Sequence, residues 1–386
     1  VQGFDKKIQG FDKKVLVFRS NYLPVSETFI SDHLRSLTRY KPVVLCERRI
    51  ISEHLTPITP YLLYKNWLGK KLFNYLGKSN EFSKVLSTEQ PDLVHAHFLT
   101  DAVKILPIME NTNIPFVVTA HGWDAATYDE DLKKSIEGSV LVQRRERLIR
   151  RVDKIICVSD LIKEYLIENG YPERKLTTCH LGVDLAELTK DTTHEPHTNA
   201  IVTVGRLVEK KGTEYLIQAY AKLPAELRQK SPLYIIGDGP LRGELESLAQ
   251  NLNVKVSFLG ALQRSQVLKT VRSAAVFVLP SVRALNGDSE GMPIAIMEAL
   301  AFSIPVCIFE NQPIGNLLEK HEAGLVAAYK DPADLAKKIE ALLTNQEYAQ
   351  LIAKEGLSLA KSHFDLFNNT VNLETIYDQA VAEFTQ

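Results

Sequence analysis

The chain alternates between two kinds of segment. Short runs rich in Val, Ile and Leu recur at Val15–Phe18, Pro42–Cys46, Leu93–His95, Phe116–Thr119, Lys154–Val158 and Leu176–Cys179. Amphipathic segments lie between them, at Ser26–Leu37, Tyr61–Ser87, Asp101–Glu110 and Leu161–Asn169. The apolar runs are continuous rather than alternating, which predicts strands covered on both faces. Strand, helix and strand in repetition predict parallel sheets with right-handed crossovers. The stretch Leu185–Asn199 is polar, contains Pro196 and predicts a linker or loop. Beyond it the pattern restarts. Strands are predicted at Ala200–Val204, Leu233–Ile236, Val254–Leu259, Ala275–Leu279 and Pro305–Phe309, and helices at Thr213–Lys222, Leu241–Asn251, Arg264–Ser273, Pro293–Ala301 and Asp331–Leu343. From Gln346 the chain reads as helical, with a break near Phe364–Asn369. The expectation is two doubly wound α/β domains in tandem. Their ligands would sit beyond the carboxyl ends of the strands, by default in the cleft between the domains.

Composition narrows the class. A length of 386 residues suits about two domains at roughly 100–200 residues each. An apolar share of 45% and a charged share of 24% exclude a disordered chain. The net charge of −1 supplies no global field for nucleic acid, and no nucleic-acid partner is expected. Residues 1–190 hold 28 Lys and Arg against 24 Asp and Glu. That small excess fits an anionic membrane or acceptor, and equally ordinary surface scatter. Cys46, Cys157, Cys179 and Cys307 form no CxxC or metal-like spacing and read as reduced thiols of a cytoplasmic protein. No apolar run approaches the ~18 residues of a membrane span, and no secretion signal is visible. Gln2–Lys7 is repeated as Gln9–Lys14; this polar duplicate reads as an extension outside the fold.

Two motifs carry candidate chemistry. Gly205-Arg206-Leu207-Val208-Glu209-Lys210-Lys211-Gly212 follows a predicted strand and precedes a predicted helix. Gly205 is expected to let the chain turn sharply. Arg206 and Lys211, five apart on a short loop, can converge on one anion as a diphosphate clamp, although such a loop is also commonly a solvated turn. The second motif is Glu290-Gly291-Met292-Pro293-Ile294-Ala295-Ile296-Met297-Glu298. Gly291 frees the backbone, and Pro293 suits the first turn of a helix. The amides of residues 291–294 would face an anion or a sugar hydroxyl. Glu298 lies among Ile294, Ile296, Met297, Ala299 and Leu300, where a carboxylate needs a partner. Glu290 and Glu298 can thus grip two parts of one polyhydroxylated ligand.

These motifs join an ordered set. It includes Thr119-Ala120-His121-Gly122-Trp123-Asp124, Val158-Ser159-Asp160, Gly182-Val183-Asp184, Gly237-Asp238-Gly239-Pro240 and Phe258-Leu259-Gly260. Nearly the whole chain resembles the family 4 glycosyltransferases, retaining enzymes of the GT-B fold. Leu23-Pro24-Val25-Ser26-Glu27-Thr28-Phe29-Ile30 and His95-Ala96-His97-Phe98 look most like the bacterial subgroup that builds colanic-acid-type exopolysaccharides.

The resemblance implies two Rossmann-like domains facing a cleft. Residues 1–190 would bind the acceptor, residues 191–366 would bind the nucleotide sugar, and 367–386 would cross back onto the first domain. It implies transfer of a hexosyl group from a UDP- or GDP-sugar to a saccharide or lipid-linked saccharide acceptor, with retention. Arg206 and Lys211 would neutralise the diphosphate and Glu298 would hold the ribose. Glu290, with the backbone of Gly291, Met292 and Pro293, would hold the donor sugar, and His121 would contact it near the reacting carbon. Gly205 and Gly237 would lie beside the nucleotide. No covalent nucleophile, cofactor or metal is expected. Many relatives carry a Gly-Gly loop after the first strand; here Arg19–Thr28 has none. Ser26, Glu27 and Thr28 could touch acceptor or phosphate, or Ser26 could simply cap the following helix. The alternatives are a nucleotide-sugar epimerase or phosphorylase of the same fold and a non-catalytic sugar-nucleotide-binding protein.

Several motifs are set aside. Gly237–Gly243 outlines a dinucleotide fingerprint, but the next strand lacks the acidic residue that would hold an adenosine ribose. His95 and His97 are expected on opposite faces of a strand, hence not as joint metal ligands. Asp129-Glu130-Asp131 is expected to open a helix rather than bind metal. Lys65–Lys78 interleaves four lysines with aromatics. It reads either as a membrane-interface segment, giving a peripheral contact at the inner face of the membrane, or as a solvated helix packing Trp67, Leu72 and Phe73 inward.

Overall fold

The computed structural model describes residues 11–22, 28–50, 58–189 and 198–385. The chain forms two compact units. One comprises the residues up to Leu181 together with those from Leu366 onward; the other is Gly182–Asp365.

The first unit holds a seven-stranded sheet in the order β3-β2-β1-β4-β5-β6-β7. Its strands are β1 (Lys13–Tyr22), β2 (Tyr40–Arg49), β3 (Tyr61–Leu62), β4 (Leu93–His97), β5 (Phe116–Ala120), β6 (Lys154–Cys157) and β7 (Leu176–Thr178). Every neighbouring pair is parallel. β4 and β5 are buried at every residue, as their unbroken apolar runs require. The second unit holds six parallel strands in the order β10-β9-β8-β11-β12-β13. They are β8 (Ile201–Val204), β9 (Leu233–Ile236), β10 (Val256–Gly260), β11 (Val276–Leu279), β12 (Val306–Phe309) and β13 (Leu325–Ala327). In each sheet the strand order reverses once, between β1 and β4 and between β8 and β11. A crevice opens at such a switch point beyond the strand ends.

Several expectations are corrected. β3 and β13 were not anticipated; at two and three residues they are too short to leave a periodic signature. The amphipathic stretch Tyr61–Ser87 is not one element. It holds β3, the helix Trp67–Leu76 and the helix Asn80–Glu89, divided where Gly77 ends the first helix in the left-handed region and Ser79 caps the second. Trp67 is not packed inward: it is 72% exposed, whereas Phe73 is buried. The helix Ile136–Arg151 was missed, because it buries only Gly138, Leu141 and Leu148 among charged neighbours. In the polar stretch after Val183, residues Leu185–Leu188 form a helical turn capped by Asp184; residues 190–197 lie outside the described ones.

The break near Phe364 separates the helices Gln346–His363 and Leu366–Phe384. The last helix belongs to the first unit, and Glu374 holds it there. This carboxylate is fully buried. It accepts from the amides of Thr38 (2.8 Å), Arg39 (2.7 Å) and Tyr40 (3.1 Å) and from the Thr38 hydroxyl (2.9 Å). Arg39 Nε lies 3.5 Å from it as well. The amides that lead into β2 thereby gain acceptors, and five donors offset the burial of the charge.

His95 and His97 are two apart on β4 and therefore share a face of the sheet, contrary to the expectation. Their ring centroids lie 4.4 Å apart. They still serve side-chain contacts: His95 Nδ1 lies 2.6 Å from the Tyr377 hydroxyl, and Nε2 lies 2.7 Å from Thr119 Oγ1. Asp129 and Asp131 engage Arg145 and Lys134. Among the described residues, no three His, Cys, Asp or Glu side chains group to hold a metal ion.

Candidate active site

The loops after β8 and β11 meet at the switch point of the second unit. The first carries Gly205–Gly212 and ends in a turn of 3-10 helix, Glu209–Lys211. Gly212 has φ 61°, and a Cβ there would lie 2.0 Å from the Pro280 carbonyl oxygen. The second loop runs from Pro280 to the helix Ile294–Ala301. The Val282 amide donates to the Lys210 carbonyl at 2.8 Å, and the Leu285 amide donates to Glu209 Oε1 at 2.9 Å.

Four predicted side chains lie on these loops and the helix that follows. Lys211 Nζ is 2.9 Å from Glu290 Oε1. Burial alone would raise the Glu290 carboxyl, but the ammonium groups of Lys211 and Lys210 override it and hold the group below its ordinary range. Arg206 is exposed, and its guanidinium has no partner among the described residues. Glu298, buried on the helix Ile294–Ala301, lies 2.6 Å from Arg264 Nη1. The arrangement offers one free cation, one cation shared with a carboxylate, and two carboxylates.

Gly205 plays a different part from the one expected. It does not adopt positive φ. Its missing side chain makes room for the Lys211 stem, since a Cβ there would lie 3.0 Å from Lys211 Cε. Gly237, after β9, has φ 132°, and a Cβ would lie 1.9 Å from the Gly205 carbonyl oxygen. The fingerprint-like glycines thus let two loops stack backbone to backbone. Gly291, Met292 and Pro293 are buried, and Pro293 stands one position before the helix rather than in its first turn.

Other residues of this crevice escaped the sequence reading. Lys210 Nζ pairs with Asp288 Oδ1 at 3.0 Å. Arg264 is the partner that Glu298 needed. Ser281 Oγ and Gln312 Oε1 are buried without a hydrogen-bond partner among the described residues, as polar atoms awaiting a polar ligand would be. Lys210 stands inside the Gly205–Gly212 motif and the others have no local motif; the contact each makes follows from tertiary placement.

The first unit has its own crevice. His121 follows β5, with His97 Nδ1 3.0 Å from its Nε2 and the rings of Phe29 and Phe98 against it. Burial and the nearby Arg19 push the His121 imidazole well below its ordinary pKa, so it is neutral. Asp124 accepts from the amides of Leu99, His121 and Gly122 and thereby fixes the turn that carries His121. At the β1/β4 switch point a cavity of about 400 Å³ is lined by Arg19, Ser20, Glu47, Asp101, Lys104 and Trp123 among others. Asp101 takes Arg19 and Ser20, and Lys104 bridges Ser20 and Glu47. Ser26 and Glu27 lie outside the described residues. Thr28 is the first residue of the helix Thr28–Ser36.

Two parallel-sheet Rossmann-like units, the second with cations and carboxylates at its switch point, define a doubly wound two-unit α/β protein. Comparison with known sequences agrees. The family model described as Glycosyltransferase Family 4 matches residues 30–187, and that described as Glycosyl transferases group 1 matches residues 186–358. The chain belongs to this glycosyltransferase family.

Among its relatives is the putative colanic acid biosynthesis glycosyltransferase WcaL of Escherichia coli, 31% identical over 59% of this chain and 57% of that protein. The amylovoran biosynthesis glycosyltransferase AmsK of Erwinia amylovora is 30% identical over 49% of this chain and 47% of its own length. The alignments thus span about half the length of these relatives. An uncharacterized glycosyltransferase of Methanocaldococcus jannaschii is 27% identical over 79% of this chain and 81% of its own. Among solved structures, Anabaena HepE in complex with UDP and glucose shares the fold, with a TM-score of 0.74 at 17% identity over 95% of this chain and 99% of that one. The lipopolysaccharide glycosyltransferase WaaG aligns with a TM-score of 0.67 at 16% identity over 94% of this chain and 99% of that one.

Proposed function

We propose that the protein transfers a hexosyl group from a UDP- or GDP-sugar to a saccharide acceptor in exopolysaccharide or cell-surface glycan synthesis. The observation that carries this reading is the Lys211–Glu290 pair beside the unpartnered Arg206 at the β8/β11 switch point. A diphosphate needs cations, a sugar needs acceptors for its hydroxyls, and the loops after β8 and β11 carry both kinds of group. Glu298 takes the ribose hydroxyls. His121, neutral at physiological pH, is assigned to the donor sugar on the family resemblance. The named relatives in colanic acid and amylovoran synthesis support the biological setting.

Transfer proceeds with retention and without a divalent ion. Arg206 and Lys211 stabilise the departing diphosphate, whose oxygen takes the acceptor proton, so no protein nucleophile is used. The cavity lined by Asp101, Lys104 and Trp123 receives the acceptor saccharide: paired charges grip hydroxyls, and the indole offers an apolar face. The acceptor is presented at a membrane surface. Exposed Trp67 and Leu68, together with Lys70, Lys71 and Lys78, form the contact. Among the described residues no helix is long and apolar enough to cross a membrane.

The test is nucleotide release from a panel of UDP- and GDP-sugars, with and without saccharide acceptors and with EDTA. Release that depends on acceptor, survives EDTA and yields a product whose anomeric configuration matches the donor supports every part. Binding without turnover across the panel favours a non-catalytic protein. Inversion or EDTA sensitivity overturns the corresponding step.

A further inference from the structure

All three side chains of the turn Glu209–Lys211 grip one segment of the opposite loop. Glu209 accepts from the Leu285 amide. Lys210 pairs with Asp288 and also donates to the Ser289 carbonyl at 3.4 Å. Lys211 pairs with Glu290. The two lysines are adjacent in sequence, and their acidic partners are two apart. Both Lys210 and Asp288 side chains are about one-fifth exposed (21% and 20%), so the pair is shielded from the screening that weakens surface ion pairs. Within the segment, the Ala284 amide donates to the Asp288 carbonyl and the Gly287 amide to the Ala284 carbonyl, both at 2.9 Å. The Arg283 amide donates to the Tyr329 hydroxyl at 3.0 Å. The loop is therefore closed on itself and fastened at several points.

One of these fastenings cannot be permanent. Under the donor-binding reading on which this inference rests, Lys211 turns to the diphosphate when the substrate arrives, and the attraction that holds Glu290 is then divided. Lys210 has no such second duty: its partners are a carboxylate and a carbonyl of the same loop.

We propose that Lys210 is a positioning residue for the donor sugar, holding Asp288 and Ser289 so that Glu290 stays in register with the sugar hydroxyls while Lys211 engages the diphosphate. The two adjacent lysines divide the work. Lys211 serves the leaving group, and Lys210 serves the sugar grip through Asp288. Loss of Lys210 then weakens recognition of the sugar more than recognition of the nucleotide.

The experiment is calorimetric titration of the full chain with UDP, GDP, UDP-glucose and GDP-mannose. Variants are Lys210→Met, Asp288→Asn, the double substitution and Lys210→Arg, each checked for an unchanged melting temperature. With whichever nucleotide binds the unaltered protein, Lys210→Met is expected to raise the Kd of the sugar nucleotide about ten-fold and that of the bare diphosphate less than about two-fold. Asp288→Asn should match it, the double substitution should add little, and Lys210→Arg should restore binding. An equal loss for sugar nucleotide and diphosphate, or no loss for either, overturns the proposal. If Lys210→Met melts early, the comparison passes to Asp288→Asn, with the same two outcomes. Should the unaltered protein bind none of the four ligands, the donor reading itself fails and the positioning role falls with it. Binding by the unaltered protein with variants indistinguishable from it removes the positioning role alone.

Discussion

Arg264 Nη1 lies 2.6 Å from Glu298 Oε1, so the carboxylate assigned to the ribose already carries a guanidinium partner. Glu298 is buried on the helix Ile294–Ala301, and Arg264 reaches it from the start of another helix. The pair fixes the orientation of the Glu298 carboxylate. Glu298→Gln preserves the shape and removes the charge. It should weaken UDP or GDP binding roughly ten-fold or more, the scale of a lost hydrogen bond to a charged group. Calorimetry that finds unchanged affinity would count against the ribose role.

Lys211→Ala removes two things at once: the cation facing the leaving diphosphate and the partner of buried Glu290. Turnover at saturating donor should fall roughly 10²–10³-fold, as when a single electrostatic stabiliser of a developing charge is deleted. Near-native turnover at saturating donor would take Lys211 out of the chemistry. Because both residues act as a unit, Lys211→Ala combined with Glu290→Gln should cost less than the product of the single losses.

The longer strands, most of the helices of the second unit and the placement of four side chains on the loops and helix after β8 and β11 were legible because they depend on local signals. Continuous apolar runs mark buried strands, and Arg206, Lys211, Glu290 and Glu298 each sit at a fixed short distance from a strand end or helix start. What closes the site was not legible. Lys210 and Asp288 are 78 residues apart, and the Thr38 amide and Glu374 are 336 apart. No window of sequence contains both partners of either contact. Gly205 shows the same limit in another form: a glycine in a loop signals a turn, yet here it clears the path of a lysine stem. The opposite-face expectation for His95 and His97 failed for a different reason, since the period of a strand is two and the sequence already contained the answer.

Glu374 offers a stability test. Glu374→Ala would strip the amides of Thr38, Arg39 and Tyr40 of their shared acceptor, and of these only the Tyr40 amide belongs to a buried residue. A loss of about 1–2 kcal/mol is expected, since water can reach the Thr38 and Arg39 amides while the Tyr40 amide is left without an acceptor. Glu374→Gln keeps one acceptor oxygen and should cost less. Urea denaturation followed by circular dichroism checks both, and equal stability of Glu374→Ala and the unaltered protein would show that Glu374 is not what holds the last helix.

Acid should destabilise the first unit. Burial pushes His33 down to about 4 and His95 down to about 3, with His33 adding to the shift of His95. Both are neutral when folded, whereas an unfolded histidine takes a proton near pH 6.5. The unfolded state therefore binds more protons as the pH falls below 6.5, and stability declines from there toward the folded values. Asp124 opposes this: burial raises its carboxyl to about 6, so it gains a proton in the folded state first. His97 and His121 are likewise held well below the ordinary value by burial. Four falling groups against one rising group leave a net loss on the order of 5 kcal/mol between pH 6.5 and 5. Urea midpoints at the two pH values measure it. His95→Gln should lower stability at neutral pH and flatten the slope, and a slope unchanged by that substitution would assign the acid sensitivity elsewhere.

The helix Trp67–Leu76 supplies the last test. Trp67 is 72% exposed and Leu68 61% exposed, an unusual position for two large apolar side chains in succession. Lys71 Nζ stands 6.0 Å from the Trp67 ring centroid, and Lys65 is paired with Glu81, so Lys70, Lys71 and Lys78 carry the outward positive charge of this region. An apolar ridge flanked by lysines suits an anionic lipid surface, where each lysine adds about 1 kcal/mol at low salt. Neutralising Lys70, Lys71 and Lys78 to glutamine should reduce co-sedimentation with phosphatidylglycerol vesicles. Trp67→Ala and Leu68→Ala together should reduce it further, and added salt should erase only the lysine contribution. Turnover on a soluble acceptor, measured in parallel, reads loss of membrane contact apart from loss of catalysis. Vesicle binding unaffected by all five substitutions would retire the membrane contact while leaving the glycosyl transfer reading intact.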